Sequence, residues 1–175
     1  MGPTAITLIV AGALFVLVLL WAYRVAHRLD RLHVRTDLAR QALVAALDRR
    51  AVVARAIAAV LREGADPDLE ALGTTLATDA DRAEAAPFAE REATENEMSL
   101  VLGRVAAATA GLVHPTELIA EIADAQTRVI MARRFYNDAV RDTRALATRR
   151  PVRWLRLAGR AQLPGYFEII ERVRA

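Results

Sequence analysis

The chain contains no cysteine and no lysine, and it has 8 glycines and 6 prolines in 175 residues. Without cysteine there is no disulfide, no thiolate metal site and no lipid-modified cysteine behind a leader. The three histidines, His27, His33 and His114, are too few to make a dedicated metal site by themselves. Arginine supplies all 24 basic residues, which reads as the bias of a GC-rich genome rather than as chemistry. Scarce glycine and proline, against abundant alanine, leucine, valine, arginine and glutamate, predict an all-α body. Catalytic motifs are missing too: there is no nucleophile elbow, no phosphate-cradling glycine loop, no HExxH and no metal-spaced carboxylate set. Asp79 with Asp81, and Glu90, Glu92, Glu95 and Glu97, are acidic but lack the histidine context of a metal site. The expectation is a protein that is not an enzyme and takes no cofactor, metal or small-molecule substrate.

What is present is a charge-free run, Ala5 to Ala22, with Leu14 near its middle. At about 1.5 Å of rise per residue, a helix of this run covers about 27 Å, close to the ~30 Å hydrocarbon core of a bilayer. Trp21 and Tyr23 stand at its far end, where amphipathic rings favour the headgroup level. Met1-Gly2-Pro3-Thr4 carries no basic side chain, and the run closes on Trp21-Ala22-Tyr23-Arg24. A cleaved leader would want a basic start and small residues before a cut site. A single membrane-spanning helix is therefore expected. No arginine precedes it, and Arg24, Arg28, Arg31 and Arg35 follow it. Positive flanks stay inside, so the N-terminus is expected outside the cell membrane and the body in the cytoplasm.

The net charge of +3 hides a partition. Residues 24–62 hold 9 arginines and 3 acids, residues 63–127 hold 3 and 14, and residues 128–175 hold 12 and 4. A nucleic-acid surface would explain the basic ends, but not a tethered chain with an acidic middle. Basic ends lying against anionic lipid fit better, and no nucleic-acid partner is expected.

From Arg24 to Arg62 there is neither proline nor glycine. Val25, Leu29, Leu32, Thr36, Ala39, Leu43, Ala46, Arg50, Val53, Ile57 and Val60 recur at alternating spacings of four and three, the seam of a helix packed lengthwise on others. Such a helix would reach about 60 Å from the membrane, ending near Gly64 in a left-handed cap. Asp66-Pro67-Asp68 restarts a helix, with Asp66 as cap and Pro67 in the first turn. Leu69, Leu72, Leu76, Ala80 and Ala83 give it a thin apolar stripe, weakened by Gly73-Thr74-Thr75. Phe88 to Ala110 reads as a third helix with Met98, Leu102, Val105 and Leu112 on one side. Its acidic first half reads as a solvated face, or else as a docking surface for a basic partner. A turn at residues 111–115 leads to a fourth helix from Thr116 to about Thr148. Its seam is Leu118, Ile122, Ala125, Val129, Ala132, Tyr136, Ala139, Thr143 and Leu146. Short turns make neighbouring helices antiparallel. The predicted fold is therefore all-α: one transmembrane helix (residues 1–23) continuing into an antiparallel up-down bundle of long helices (24–148), then a basic amphipathic segment (149–175).

In that last segment, Arg149, Arg153, Arg156 and Arg160 fall on one face if a helix resumes after Pro151, with Trp154, Leu155 and Leu157 on the other. A basic amphipathic helix with tryptophan suits a lipid interface. The alternative is packing across the bundle end with the guanidinium heads in water. Pro164-Gly165 ends it, and Tyr166-Phe167-Glu168 leads into a short terminal helix. Arg50, on the first seam, is expected to bury its stem and set its head on an acid or a carbonyl. Tyr136 and Asn137 are expected to make a structural hydrogen bond tying two helices.

Ala132-Arg133-Arg134-Phe135-Tyr136-Asn137-Asp138-Ala139-Val140 resembles the signature of LemA family proteins. Leu47-Asp48-Arg49-Arg50 is similar to that family's paired arginines, and Glu95-Asn96-Glu97-Met98-Ser99-Leu100 to its third-helix motif. Arg150-Pro151 with Tyr166-Phe167-Glu168 is similar to its C-terminal region, and the order of all these features matches. The chain departs from the family where Ala51 to Ile57 lacks a proline, where Thr143-Arg144 replaces a second Tyr-Asn pair, and where His114-Pro115 replaces Tyr-Pro. The resemblance implies a divergent member: a bacterial, membrane-anchored, cytoplasmic helical bundle with a short outward N-terminus. It brings no catalytic residues and no established molecular activity. The leading functional expectation is a membrane-tethered scaffold or adaptor that docks another protein. The second is a membrane-surface protein that senses or shapes anionic lipid through its basic C-terminal segment.

Overall fold

The computed structural model describes residues 2–110, 116–155, 157 and 162–169. Among these, every regular element is an α-helix: α1 Pro3–Glu63, α2 Pro67–Ala85, α3 Arg91–Ala108, α4 Thr116–Ala147 and α5 Arg150–Trp154. Between Gly12 and Gly64 there is neither proline nor glycine, so nothing breaks α1 where its apolar run gives way to charge. Among the described residues it is the one helix long and apolar enough to cross a membrane, and none of its apolar window is buried.

The chain packs into two units that cut across the three segments marked off in sequence. The first comprises Met1–Leu38 and Asp138–Gly165; the second comprises Ala39–Asn137 and Tyr166–Ala175. In the second unit, α2 packs on α3, and both pack on the C-terminal third of α1 around Ala51, Ala54, Ala58, Leu61, Leu76, Ala80, Ala83, Met98, Val101, Leu102 and Val105. In the first unit, Leu29, Leu146, Ala147 and Val152 form a smaller core, with Val25, Leu32 and Leu157 against it. Beside it, the Thr36 and Thr143 hydroxyls lie 3.0 Å apart and buried. One donates to the other, and the Leu32 and Ala139 carbonyls are within reach of the remaining hydroxyl proton, so no hydroxyl is stranded.

The heptad reading holds along both long helices. Of the eleven α1 seam positions, all but Val60 are buried or half-buried, and so is every α4 seam position from Leu118 to Leu146. A second buried row on α1, Leu47, Ala51, Ala54, Ala58 and Leu61, runs beside the first with the same four-three spacing. It widens the packed face enough to meet helices on two sides. On α2, the Asp66 side chain accepts from the Asp68 N–H at 2.9 Å and Pro67 occupies the first turn. Gly73 is a packing residue. A Cβ there would stand 2.8 Å from the Ala58 carbonyl oxygen and 3.0 Å from the Leu61 Cβ, so α2 crosses α1 at near backbone contact.

Three expectations change. Gly64 is not in a left-handed conformation, and α1 ends in a bend that delivers Asp66 to its capping geometry in extended backbone. The third helix begins at Arg91 rather than Phe88, because Pro87–Glu90 closes a separate turn with the Glu90 N–H on the Pro87 carbonyl at 2.9 Å. The helix after Pro151 stops at Trp154, where the Leu157 N–H reaches back to the Val152 carbonyl at 3.0 Å. Residues 162–169 are not helical, and the short terminal helix expected after Tyr166-Phe167-Glu168 falls on residues 170–175, outside the described ones. The expected turn at 111–115, with Leu112 and His114, lies outside the described residues, as do Arg156 and Arg160.

Candidate functional site

Among the described residues, the most buried charges meet between α1 and α3. Glu95 has no exposed surface, and the Arg50 and Arg91 side chains are 6% and 4% exposed. Arg50 Nη2 donates to the Glu95 carboxylate at 2.5 Å and to the Glu95 carbonyl at 3.1 Å. Arg91, one turn before Glu95 on α3, donates through Nε to the other carboxylate oxygen at 3.2 Å. Its Nη2 reaches the half-buried Asp48 at 2.6 Å. Two guanidinium and two carboxylate groups cancel, which is the condition under which charges are tolerated inside a protein. The Arg50 Nε is buried without a hydrogen-bond partner, the one loose end of this network.

The expected solvated acidic face on α3 is corrected here. Glu95 is the centre of the buried network. Of the others, Glu92 accepts the Glu168 backbone N–H at 2.9 Å and Glu97 pairs with Arg82 at 3.1 Å. The i, i+4 relation of Arg91 to Glu95 brings them together on one helix face.

A second polar arrangement in the same unit holds residues 166–169. The Asn137 amide nitrogen donates to the Phe167 carbonyl at 3.0 Å, and its oxygen accepts the Phe167 N–H at 2.9 Å. The side chain thus completes the backbone pairing of an extended residue as a neighbouring strand would. Phe167 is buried and stacks on Phe88 at 5.1 Å between centroids, and Tyr136 meets Phe88 edge-on at 5.5 Å. The Arg40 guanidinium lies 4.6 Å from the Phe88 ring centroid, a cation–π contact. Asn137 ties a helix to an extended segment rather than to a second helix, so the expected helix–helix tie is replaced.

The other singled-out residues are placed as follows. Arg49 points outward and pairs with Glu121. Asn96 and Arg133 are half-buried. Leu14 is exposed, Ala22 is half-buried, and Ala5 lies in the first turn of α1. Arg149, Arg153 and Trp154 are exposed around α5, whose buried residue is Val152. Elsewhere on the surface, the Glu84 carboxylate hydrogen-bonded to Arg55 holds that guanidinium above its ordinary pKa, with partial burial opposing and Asp81 adding to it. Among the described residues no three histidine or carboxylate side chains gather as a metal site would require.

Sequence reasoning missed Glu95, Arg91, Asp48, Phe88 and Phe167 as partners. The i, i+4 spacing of Arg91 and Glu95 was the one local signal available. Comparison of the chain with protein-family models, with curated proteins and with solved structures finds no match.

Proposed function

We propose that this protein is a membrane-anchored scaffold of the LemA type, held by residues 5–22 with its helical body in the cytoplasm. The observation that carries the anchor is that the apolar stretch of α1 is unburied throughout and runs without a break into a helix with packed seams. Arginines following the stretch, with none before it, favour an outward N-terminus. The LemA reading is supported by what its motif stretches do together. Arg50 of the first stretch bonds Glu95 of the second, and Asn137 of the third clasps Phe167 of the last. An up-down antiparallel bundle is supported by the order of the pairings. Leu29 with Leu146 and Arg35 with Asp142 run in opposite senses, whereas Asp48 with Arg91 and Arg50 with Glu95 run in the same sense.

Exposed apolar side chains on an otherwise charged body, notably Leu100 on α3 and Phe135 on α4, are the positions from which a docking role is proposed. Photo-crosslinking from each position in intact cells tests this. A discrete adduct of constant mass, lost when the neighbouring side chains are made charged, is expected. Absence of any adduct at both positions contradicts the scaffold reading.

A further inference from the structure

The first unit brings two basic segments, more than a hundred residues apart in sequence, to the end of the apolar stretch. Val152 of α5 is fully buried against Leu29, Leu146 and Ala147, with Val25 beside them. Val25 and Leu29 lie three and seven residues beyond Ala22, about 5 and 10 Å along the helix axis. The headgroup layer occupies about 5–8 Å outside each face of the hydrocarbon core. With Ala22 at the hydrocarbon edge, α5 is therefore held at the outer margin of the headgroup layer, between the levels of Val25 and Leu29.

The surface gathered there is of one sign. Arg24, Arg28 and Arg31 on α1, Arg149 at the cap of α5, and Arg150 and Arg153 on α5 are all exposed. Among the described residues none of them pairs with a carboxylate, whereas Arg35, one turn further along α1, is held by Asp142 at 3.1 Å. Residues 143–165 contain no acid at all, and Asp30 is the lone acid among residues 24–36. The unit as a whole holds eleven arginines and four aspartates, a net +7, which leaves −4 on the other unit. Trp154, the last residue of α5 and next to Arg153, has 91% of its area exposed. An indole so exposed costs solvation unless an interface receives it, and the membrane interface is where tryptophan is most favoured.

We propose that α5 and the first turns after the apolar stretch form a cationic collar that binds the phosphates of anionic lipids, with Trp154 inserted among the headgroups. The proposal rests on the anchor reading above and adds a lipid preference that an anchor alone does not have. Each basic residue near an anionic surface changes the docked-to-free ratio about fivefold. An interfacial indole gives the collar a contact that survives salt.

The test uses the full chain in lipid nanodiscs. The chain has two tryptophans, so W21F leaves Trp154 as sole reporter and W154F leaves Trp21. In discs containing phosphatidylglycerol, Trp154 emission should shift to the blue and be quenched by lipids brominated high on the acyl chain. In purely zwitterionic discs the quenching should fall severalfold, and R149Q/R150Q/R153Q should bring the anionic case down to the zwitterionic one. Trp154 emission that stays water-like in every disc, while Trp21 remains quenched, overturns the collar and leaves the anchor standing. Equal quenching of Trp154 in both lipids, unmoved by the arginine changes, overturns anionic recognition. Loss of quenching at Trp21 as well overturns the anchor together with the collar.

Discussion

The side chain of Asn137 and the backbone of Phe167 form a closed pair of hydrogen bonds, amide to carbonyl and N–H to amide oxygen. The pair fastens an extended stretch of chain to the middle of α4, thirty residues away in sequence. Phe88 then stacks on the Phe167 ring, and Tyr136 meets Phe88 edge-on.

Replacing Asn137 with alanine removes both bonds while leaving the aromatic cluster. The expected loss is about 1–3 kcal/mol, two neutral hydrogen bonds with one partner deleted. Hydrogen exchange should show the Phe167 amide deprotected by a larger factor than amides in α2. Asn137→Asp should lose the bond to the Phe167 carbonyl and keep the one to its N–H.

Glu95 and Glu97 are two residues apart and differ sharply in surroundings. Glu95→Gln leaves Arg50 and Arg91 buried with Asp48 as their sole carboxylate, and should cost about 3–5 kcal/mol. Glu97→Gln breaks an exposed pair with Arg82 and should cost less than about 1 kcal/mol. Thermal unfolding of the two variants in the same detergent checks the contrast.

Gly73→Ala is expected to destabilise, against helix propensity. Alanine is better than glycine in a helix interior by about 1 kcal/mol. Here its methyl meets the Ala58 carbonyl at 2.8 Å, which forces α2 away from α1. A lowered melting temperature is expected for Gly73→Ala, and a raised or unchanged one for the control Thr74→Ala, whose position is exposed.

Arg55 gives a prediction with a sign in pH. Its folded-state pKa is raised, first by the hydrogen bond it donates to Glu84. A raised pKa contributes stability that is complete below the ordinary arginine value and declines as pH climbs through the raised one. The pair's effect should therefore be flat from about pH 6 to 9, and Arg55→Gln should lower stability by the same small amount throughout. Added salt, not pH, should shrink the difference.

The long seams of α1 and α4 were legible because leucine and valine at four-three spacing specify a buried stripe with little ambiguity. Asp66-Pro67 marked the start of α2 for a similarly local reason. The second α1 row was not legible, because Ala51, Ala54 and Ala58 are as common outside a core as inside one. Glu95 was hidden for a different reason. It sits in a run of acids, and the arginine that buries it lies forty-five residues upstream. Gly73 read as a weakness since a close helix crossing is a property of two segments. Trp154 was placed on a helical face that ends at that residue.

The central claim is that residues 5–22 anchor a body that lies on the cytoplasmic side. The chain has no native cysteine, so single cysteines at Thr4, Ala65 and Gln162, all exposed positions, report cleanly on which side each lies. In intact cells an impermeant thiol reagent should label Thr4→Cys alone, with Ala65→Cys and Gln162→Cys reacting after lysis. Labelling of Ala65→Cys and Gln162→Cys before lysis would put the body outside and contradict the account.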